Sequence, residues 1–330
     1  MSVVGPERDI DILVIGEINP DFVISDPDPV PVFDEVERIV RSITMTVGSS
    51  SAIFACGAAR LEVRVAFFGV VGDDPFGHFM LDAMRARGID VSACVVDPTQ
   101  STGATVILTS GRDRAILTEM GAIGAMDVDA IPRPLLDRSR HIHSGCFYLQ
   151  NTSRERLPGF FATARALGIS CSFDTNWDPT GRWDGGVGAM LGACDVFFPN
   201  AAEARRIAHL DDVEEAARAL ARLGAAGRTD GGPVVAVKLG AEGALACRAA
   251  GPLVRVPAMT VEPIDTTGAG DSFNAGFLAA WLDGTDLQEC LRWGAVCGAV
   301  STQGLGGIDA QPTLPEVRAA LAAWKSSDAG

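Results

Sequence analysis

One stretch of this chain concentrates residues able to do chemistry: Asp265-Thr-Thr-Gly-Ala-Gly-Asp-Ser-Phe-Asn-Ala-Gly-Phe277. Gly268 and Gly270 permit close backbone approach and unusual dihedrals. Ser272 to Leu282 reads as a helix, so the glycines form a bend that enters a helix N-terminus. Such a bend presents free N–H groups and the positive end of a dipole to an anion. A phosphoryl group in transfer spreads negative charge over its oxygens, and a nest of this kind stabilises it. Asp271, at the same helix start, is poised to take the proton of an attacking hydroxyl. The plainer reading is a glycine-rich turn with an acid at a helix start.

The full string resembles the C-terminal signature of the ribokinase family, the PfkB-type carbohydrate kinases. Val70-Val-Gly-Asp-Asp-Pro-Phe-Gly77 is similar to that family's GxVGxDxxG segment, and the resemblance covers nearly the whole chain. It implies an ATP-dependent sugar kinase in which Gly268, Ala269, Gly270 and the N–H of Asp271 form an anion hole and Asp271 is the base. The acceptor would be the primary hydroxyl of a monosaccharide. Phe198-Pro-Asn-Ala-Ala-Glu203 is similar to the family's NxxE motif, which implies that Asn200 serves the nucleotide and Glu203 holds Mg²⁺, partly through water. A hard cation wants a few such oxygen ligands. Asn200 with Glu203 is equally a capping-box spacing at a helix start.

Lys238-Leu-Gly-Ala-Glu-Gly243 looks like the family's nucleotide loop, with Lys238, Gly240 and Gly243 as binding residues. Lys238 could reach a phosphate as a point charge, or simply end a strand before a tight turn. Ala295 to Gly307 resembles the helix and loop that close over an adenine. The backbone at Asp265 and Thr267 matches the place where relatives hold a monovalent cation, K⁺. Carbonyl ligands leave no side-chain signature, so the sequence leaves that cation open.

For the acceptor, Gly16-Glu-Ile-Asn-Pro-Asp21 matches an early acidic position that grips sugar hydroxyls, and Asp21 is the candidate. A carboxylate accepting two hydroxyl protons suits a vicinal diol; a surface turn acid beside Pro20 is the alternative. The family's GGxxxN element reads Gly48-Ser-Ser-Ser-Ala-Ile53, so Ser49 replaces a glycine and Ile53 the sugar-binding Asn. Gly48 and Ser49 remain candidates, although Ser49 to Ser51 could equally cap a helix. Asp174-Thr-Asn-Trp-Asp178 resembles the DxNxR segment of acidic-sugar kinases and offers Asn176. The usual Arg is Asp178, expected to repel an anion and favour a neutral sugar, with Arg182 nearby. His141 and His143 lack an evident third ligand, which points to a structural pair.

The elements that must position these groups read as follows. Apolar runs at Ile12–Ile15, Val65–Phe68, Ile169–Phe173, Val196–Phe198 and Val234–Val237 suit buried parallel strands. Phe76, Met80, Leu81 and Met84 share a helical face that ends at Gly88. A helix beginning near Asp211 and Asp212 places Glu214 four residues before Arg218 and stops at Gly224. The expected fold is a ribokinase-like three-layer αβα sandwich with a mostly parallel sheet. Residues 19–48 and 101–118, the latter a hairpin turning at Ser110–Gly111–Arg112–Asp113, look like a small β lid inserted into one α/β domain spanning 1–330.

Composition fits this reading. The chain has 330 residues, 47% of them hydrophobic, with 37 Gly and a formal net charge of −15. That acidity disfavours nucleic acid and anionic membranes as partners. Eight cysteines without a CxxC pair read as free thiols in a reducing cytoplasm. The N-terminus carries acids before its apolar run, unlike a secretory signal, and no apolar stretch reaches the length of a membrane span. Exposed lid strands make a homodimer through the lid an expectation. The GxxxxGK[ST] of a P-loop kinase is absent, and Gly16-Glu-Ile-Asn-Pro breaks the GxGxxG of a dinucleotide oxidoreductase. A nucleoside kinase of the same family and a non-catalytic sugar-binding regulator are the rival readings. A nucleoside kinase is expected to present lid aromatics, and only Phe22 and Phe33 are available there.

Overall fold

Each central strand feeds two cores at once, which is why its sequence is apolar without a break. In the computed structural model, which describes residues 8–110 and 113–327, Ile12 and Val14 of the first strand join one core while Leu13 and Ile15 join the other. The chain runs β1 (Ile10–Ile15), β2 (Pro20–Ser25), β3 (Ser42–Val47), α1 (Ser50–Arg60), β4 (Val65–Phe68), β5 (Val70–Gly72), α2 (Pro75–Ala86), β6 (Val95–Asp97), β7 (Ala104–Ser110), β8 (Asp113–Glu119) and α3 (Arg133–Asp137). It continues through β9 (Ser139–Ser144), α4 (Leu157–Ala166), β10 (Ser170–Phe173), α5 (Val187–Ala193), β11 (Val196–Phe197), α6 (Ala201–Ala208), α7 (Val213–Ala225), β12 (Val234–Lys238), β13 (Ala244–Cys247), β14 (Val254–Val256), α8 (Ala269–Leu282), α9 (Leu287–Ser301) and α10 (Leu314–Ser327).

Eight strands form the main sheet in the order β14-β13-β12-β11-β10-β9-β1-β4. From β12 to β4 neighbours are parallel, while β13 and β14 add an antiparallel edge. One face packs Phe161, Leu191 and Leu220 from α4, α5 and α7; the other packs Phe54, Met80, Phe277 and Leu291 from α1, α2, α8 and α9. This is a three-layer αβα sandwich with a mostly parallel sheet, the architecture that the resemblance implies. The parallel strands end together, so the residues after β1, β9, β10, β11 and β12 share one rim, where open α/β sheets bind ligands.

A second sheet of four strands, ordered β3-β2-β7-β8, stands over that rim. Its strands fall in the two segments that break the α/β rhythm, with β8 running one residue further, to Glu119. Gly111 and Arg112 of the expected hairpin turn, and the first seven residues of the chain, lie outside the described residues. A further pair, β5 with β6, is parallel and was not foreseen. Thr302 and Asp265 join the α9 end to the chain ahead of α8 by backbone hydrogen bonds.

Three local readings change. The helix after the glycine bend begins at Ala269 rather than Ser272, which places Gly270 and Asp271 in its first turn. Phe76 is not on the buried face of α2; it sits near the surface with its ring 5.3 Å from Phe22, and the buried face is Gly77, Met80, Leu81 and Met84. Glu214 reaches Arg255 on β14 at 3.4 Å instead of Arg218. Asp212 caps α7 by accepting from Glu214 and Glu215 N–H groups. All eight cysteines are unpaired, and seven are buried. Among the described residues no helix is long and apolar enough to cross a membrane.

Candidate active site

Gly268 caps α8 with φ +71°, a conformation that favours glycine. A Cβ there would also lie 2.8 Å from Ile53 Cγ2 and 2.9 Å from Gly307 Cα, so the bend is held tightly from below. Asp265 shapes it: Oδ1 accepts from Thr267 N–H (2.9 Å) and Thr267 Oγ1 (2.8 Å), and Oδ2 from Gly306 N–H (2.9 Å). The Ala269 N–H is spent on Thr266 O at 3.3 Å. No acceptor among the described residues meets the N–H groups of Gly270 and Asp271. First-turn donors without partners are the anion-binding feature of a helix start.

Two cavities meet at this bend. The larger, about 720 Å³, is lined by Asp21, Ser49, Ser50, Ile53, Asn176, Asn200, Glu203, Lys238, Gly240, Gly268, Gly270 and Asp271, together with Thr105, Ile107, Arg114 and Ile116 of the four-stranded sheet. The smaller, about 470 Å³, is lined by Lys238, Gly240, Gly243, Ala269, Gly270, Phe273, Ala295, Gly298, Ala299 and Thr302. Of the expected sugar and nucleotide residues, Asp21, Ser49 and Asn176 line the larger cavity and Gly243 the smaller; Lys238 and Gly240 line both, and Asn200 lies with the sugar candidates. Small residues on α9 leave room where a bulky chain would fill the second cavity.

Asp271 lies on the floor of the larger cavity. Burial pushes its carboxyl up to about 8, helped by Asp174 and Glu17, and opposed by Lys238 and a hydrogen bond from Ser50. A base that keeps its proton affinity near neutral pH is matched to proton abstraction. Lys238 ion-pairs with Asp174, which also accepts from Asn274 Nδ2 at 2.7 Å. Burial works against the charge of Lys238, yet Asp174 and Glu203 hold its pKa above the ordinary lysine value. Lys238 therefore lies under the bend, 3.5 Å from where a Gly270 Cβ would stand, with its ammonium turned to Asp174.

Asn200 and Glu203 form a complete capping box on α6: Asn200 Oδ1 accepts from Glu203 N–H (2.9 Å) and Glu203 Oε2 from Asn200 N–H (2.8 Å). The capping alternative is thus real, and both side chains still line the cavity. Burial and nearby Asp174 raise the Glu203 carboxyl, with Lys238 opposing. No group of three His, Cys, Asp or Glu able to hold a metal occurs among the described residues. Sparse oxygen donors of this kind fit Mg²⁺, which keeps its waters and is bound by one or two carboxylates plus phosphates.

In the larger cavity, Asp21 is 6% exposed. Burial pushes it up to about 7, with Arg114 opposing and Asp265 and Glu17 reinforcing. Gly48 makes room for it, since a Cβ there would lie 2.1 Å from Asp21 Oδ1. Ser49 caps α1, accepting from Ala52 N–H at 3.0 Å while donating to Glu17 O at 2.6 Å. Its hydroxyl is committed to the fold. Asn176, at φ +53°, contacts Ser50 Oγ and presents its amide to the cavity.

Four contributors were missed in the sequence. Glu17 is buried and accepts from Ser51 N–H (3.0 Å), Ser51 Oγ (2.7 Å) and Gln150 Nε2 (3.3 Å), and burial raises its pKa. A charged residue directly after a wholly apolar strand was its one signal. Asp174, Arg114 and Trp177 complete the set. Asp178 corrects an expectation: its carboxylate accepts from Thr180 N–H (2.8 Å) and Trp183 N–H (2.7 Å), closing its own loop, and it does not line the cavity. Arg182 faces Asp184 at 3.8 Å. The argument that Asp178 selects a neutral sugar therefore falls. His141 and His143 are buried and bound to Ser170 and Ser172 of β10, and burial keeps both neutral.

Residues 9–314 match the pfkB family of carbohydrate kinases. The chain belongs to that family. It is an ATP-dependent carbohydrate kinase with a ribokinase-like fold. This pfkB kinase is 30% identical over 312 residues to the ATP-dependent ribose-1-phosphate kinase of Halopiger xanaduensis, covering 94% of this chain and 97% of the relative. It is 27% identical over 317 residues to a nucleoside kinase of Methanothermobacter thermautotrophicus, covering 95% of each. A double-mutant fructokinase from Vibrio cholerae O395, solved with fructose, ADP and potassium ion, superposes with TM-score 0.79 at 26% identity, covering 96% of this chain and 99% of that one.

Proposed function

We propose that this pfkB kinase transfers the γ-phosphoryl group of Mg-ATP to a primary hydroxyl of a monosaccharide. The observation that carries the reading is the convergence, at one helix start, of the Asp271 carboxylate with two N–H groups that meet no acceptor among the described residues, at the junction of two cavities. ATP would occupy the apolar cavity with its phosphates over Gly268–Asp271 and near Lys238. The acceptor would lie in the larger cavity, its hydroxyls taken by Asp21 and Asn176 against Gly48 and Ser49. Asp271 would accept the hydroxyl proton as the oxygen attacks in line, and the bend would hold the charge on the moving group. Asn200 orients Glu203 through the capping box, and Glu203 would hold Mg²⁺ through water. That ion would neutralise phosphate charge when bound. Backbone near Asp265 and Thr267 would hold K⁺, checked by comparing rates in K⁺ and in a bulky organic cation.

The test is ADP formation with Mg-ATP and a panel of free sugars, phosphorylated sugars and nucleosides, beside Asp271→Asn. Turnover with any of the sugars that vanishes in the variant supports the reading. Ligand-dependent melting shifts with no turnover would instead fit a non-catalytic binder. The nucleoside reading is favoured by Trp177, which lines the cavity at 56% exposure and is braced by Arg206, 5.1 Å from its ring centroid. It supplies from the β10 loop an aromatic in the cavity, whereas Phe22 of β2 packs on Phe76 and does not line it.

The four-stranded sheet would act as the lid of a single α/β domain, excluding water from the phosphoryl group. Its outer face also supports a homodimer. Ile43, Ile24, Leu108 and Ala115 stand in register across the four strands, as do Met45, Phe22, Val106 and Leu117, and Ile43 and Leu117 are 63% and 64% exposed. Light scattering on the protein and on Ile43→Asp tests this. Eight free thiols accord with a reducing cytoplasm.

A further inference from the structure

Lys238 ends β12 beneath the glycine bend and lines both cavities. Gly270 and Asn274 stand four residues apart on α8 and so share a helix face. A Cβ on Gly270 would lie 3.5 Å from Lys238 Nζ. Asp271, the proposed base, is the next residue of the helix. A flexible ammonium this near a buried carboxylate gains by pairing with it. Lys238 instead pairs with Asp174 Oδ2, and its Nζ approaches Asn274 Oδ1 at 3.5 Å. Asn274 Nδ2 donates to the same Asp174 oxygen at 2.7 Å, and Asp174 Oδ1 accepts from Asn176 N–H at 3.2 Å. Three donors thus fix the Asp174 carboxylate, which is 2% exposed.

The groups that act on Asp271 come from several elements. Asp174 after β10 and Glu17 after β1 raise its proton affinity, while Lys238 and the Ser50 hydroxyl of α1 lower it. Cys146, after β9, is a buried thiol that stays protonated. Further along the same walls stand Asp21 of β2, Glu203 of α6 and Arg114 of β8. The place of the Lys238 ammonium therefore bears directly on the strength of the base. A cation in contact with a carboxylate lowers its pKa by about one to three units.

We propose that Asp174 is a positioning residue for the base: it anchors the Lys238 ammonium and so keeps that charge from pairing with Asp271. This rests on the kinase reading above. Asp174 acts through Lys238 and touches no reacting atom. In the transfer step a bond forms between the acceptor oxygen and Pγ, and the bond from Pγ to the β,γ-bridging oxygen breaks. The acceptor proton passes to Asp271, and ADP leaves with the bridging oxygen. A carboxylate already paired with an ammonium is a poor acceptor for that proton. Held at Asp174, Lys238 still borders the smaller cavity. One cation can then serve a phosphate on that side without weakening the base on the other.

Asp174→Asn keeps the shape and removes the anchor. Lys238 then falls onto Asp271, so the acid limb of kcat/KM for acceptor moves down by at least about one pH unit. At saturating ATP kcat falls about 10²-fold. Adding Lys238→Met to Asp174→Asn recovers at least about tenfold of that kcat and moves the limb back up, which a damaged fold would not do. Melting at pH 8 gives a reading free of any acceptor. There Asp271→Asn raises the melting temperature of the parent but lowers that of Asp174→Asn, because it strands the lysine paired with it. Should Asp174→Asn not fold, Asn274→Ala decides: it loosens the same anchor and moves the limb down by less, and a limb left in place overturns the proposal. The proposal also falls if Asp271→Asn raises the melting temperature in both backgrounds. It falls again if Asp174→Asn lowers the KM for ATP with the limb unmoved, since the lysine would then have gone to phosphate. Should the parent turn over no acceptor, the function reading fails, while the melting comparison still decides the role of Asp174.

Discussion

Of the two cavities that share Gly270, the larger carries four carboxylates on its walls, whereas the smaller has Lys238 as its one charged lining residue among those described. The first is built from side chains that converge from five strand ends and the small sheet. The second is built from absences: Gly240, Gly243, Gly298, Ala295 and Ala299 leave space. On the proposed reading the larger cavity would discriminate hydroxyl patterns, because an unmatched buried polar group costs about 1–3 kcal/mol. The smaller cavity offers mainly shape, backbone donors and the hydroxyls of Thr260, Thr266 and Thr302.

Four experiments sharpen or break that contrast. At the junction, Asp271→Asn should lower kcat by about 10³-fold or more, near the upper range for removing a general base. A loss under tenfold would remove the base from the comparison. Next, Asp21→Ala should raise the acceptor KM about 10- to 100-fold and leave the ATP KM unchanged, since it deletes hydroxyl acceptors only. Ala299→Leu should do the reverse, raising the ATP KM about tenfold by filling space. If either variant moved both KM values alike, the two cavities would not be separate sites.

The smallest effect concerns pH. Asp271 is pushed up to about 8 and Asp21 to about 7, and Glu17 and Glu203 are also raised. A carboxyl whose folded pKa exceeds its unfolded value binds protons more tightly in the folded state. Its contribution is full in acid, below the unfolded value, and fades as pH rises to the folded value. The empty protein should therefore lose melting temperature between about pH 4 and pH 8. Asp271→Asn should flatten that decline, melting above the parent at pH 8. The parent's kcat/KM for acceptor should carry an acid limb with its midpoint well above the ordinary carboxylate range. An equal decline in parent and variant would remove Asp271 from the set.

The glycine bend was legible because its chemistry is written in consecutive residues, and so were β1, β4 and the Asp212 cap of α7. The rest was less so for a shared reason. Asp174 meets Lys238 across 64 residues and Asn274 across 100, and Arg114 meets Thr267 across 153. No local pattern marks a partner that far away. Asp178 misled for the opposite reason: its position in a motif suggested the cavity, while its own loop offered closer donors. Trp177 was passed over because aromatics were sought in the lid strands, whereas it comes from the β10 loop.

Ile53 stands at the Asn position of the GGxxxN element that the sequence resembles, and its branches press against Gly268 and Gly307. The bend thus rests on a hydrocarbon shim. A lineage that restored the amide to recover the usual sugar contact would remove the shim in the same stroke, leaving a dipole beneath the one turn that must not shift. Adaptation to a new acceptor would then proceed from the opposite wall, on the small sheet, at cavity-lining positions such as Ile107 and Ile116 rather than at Asp21 or at Arg114, which bonds Thr267.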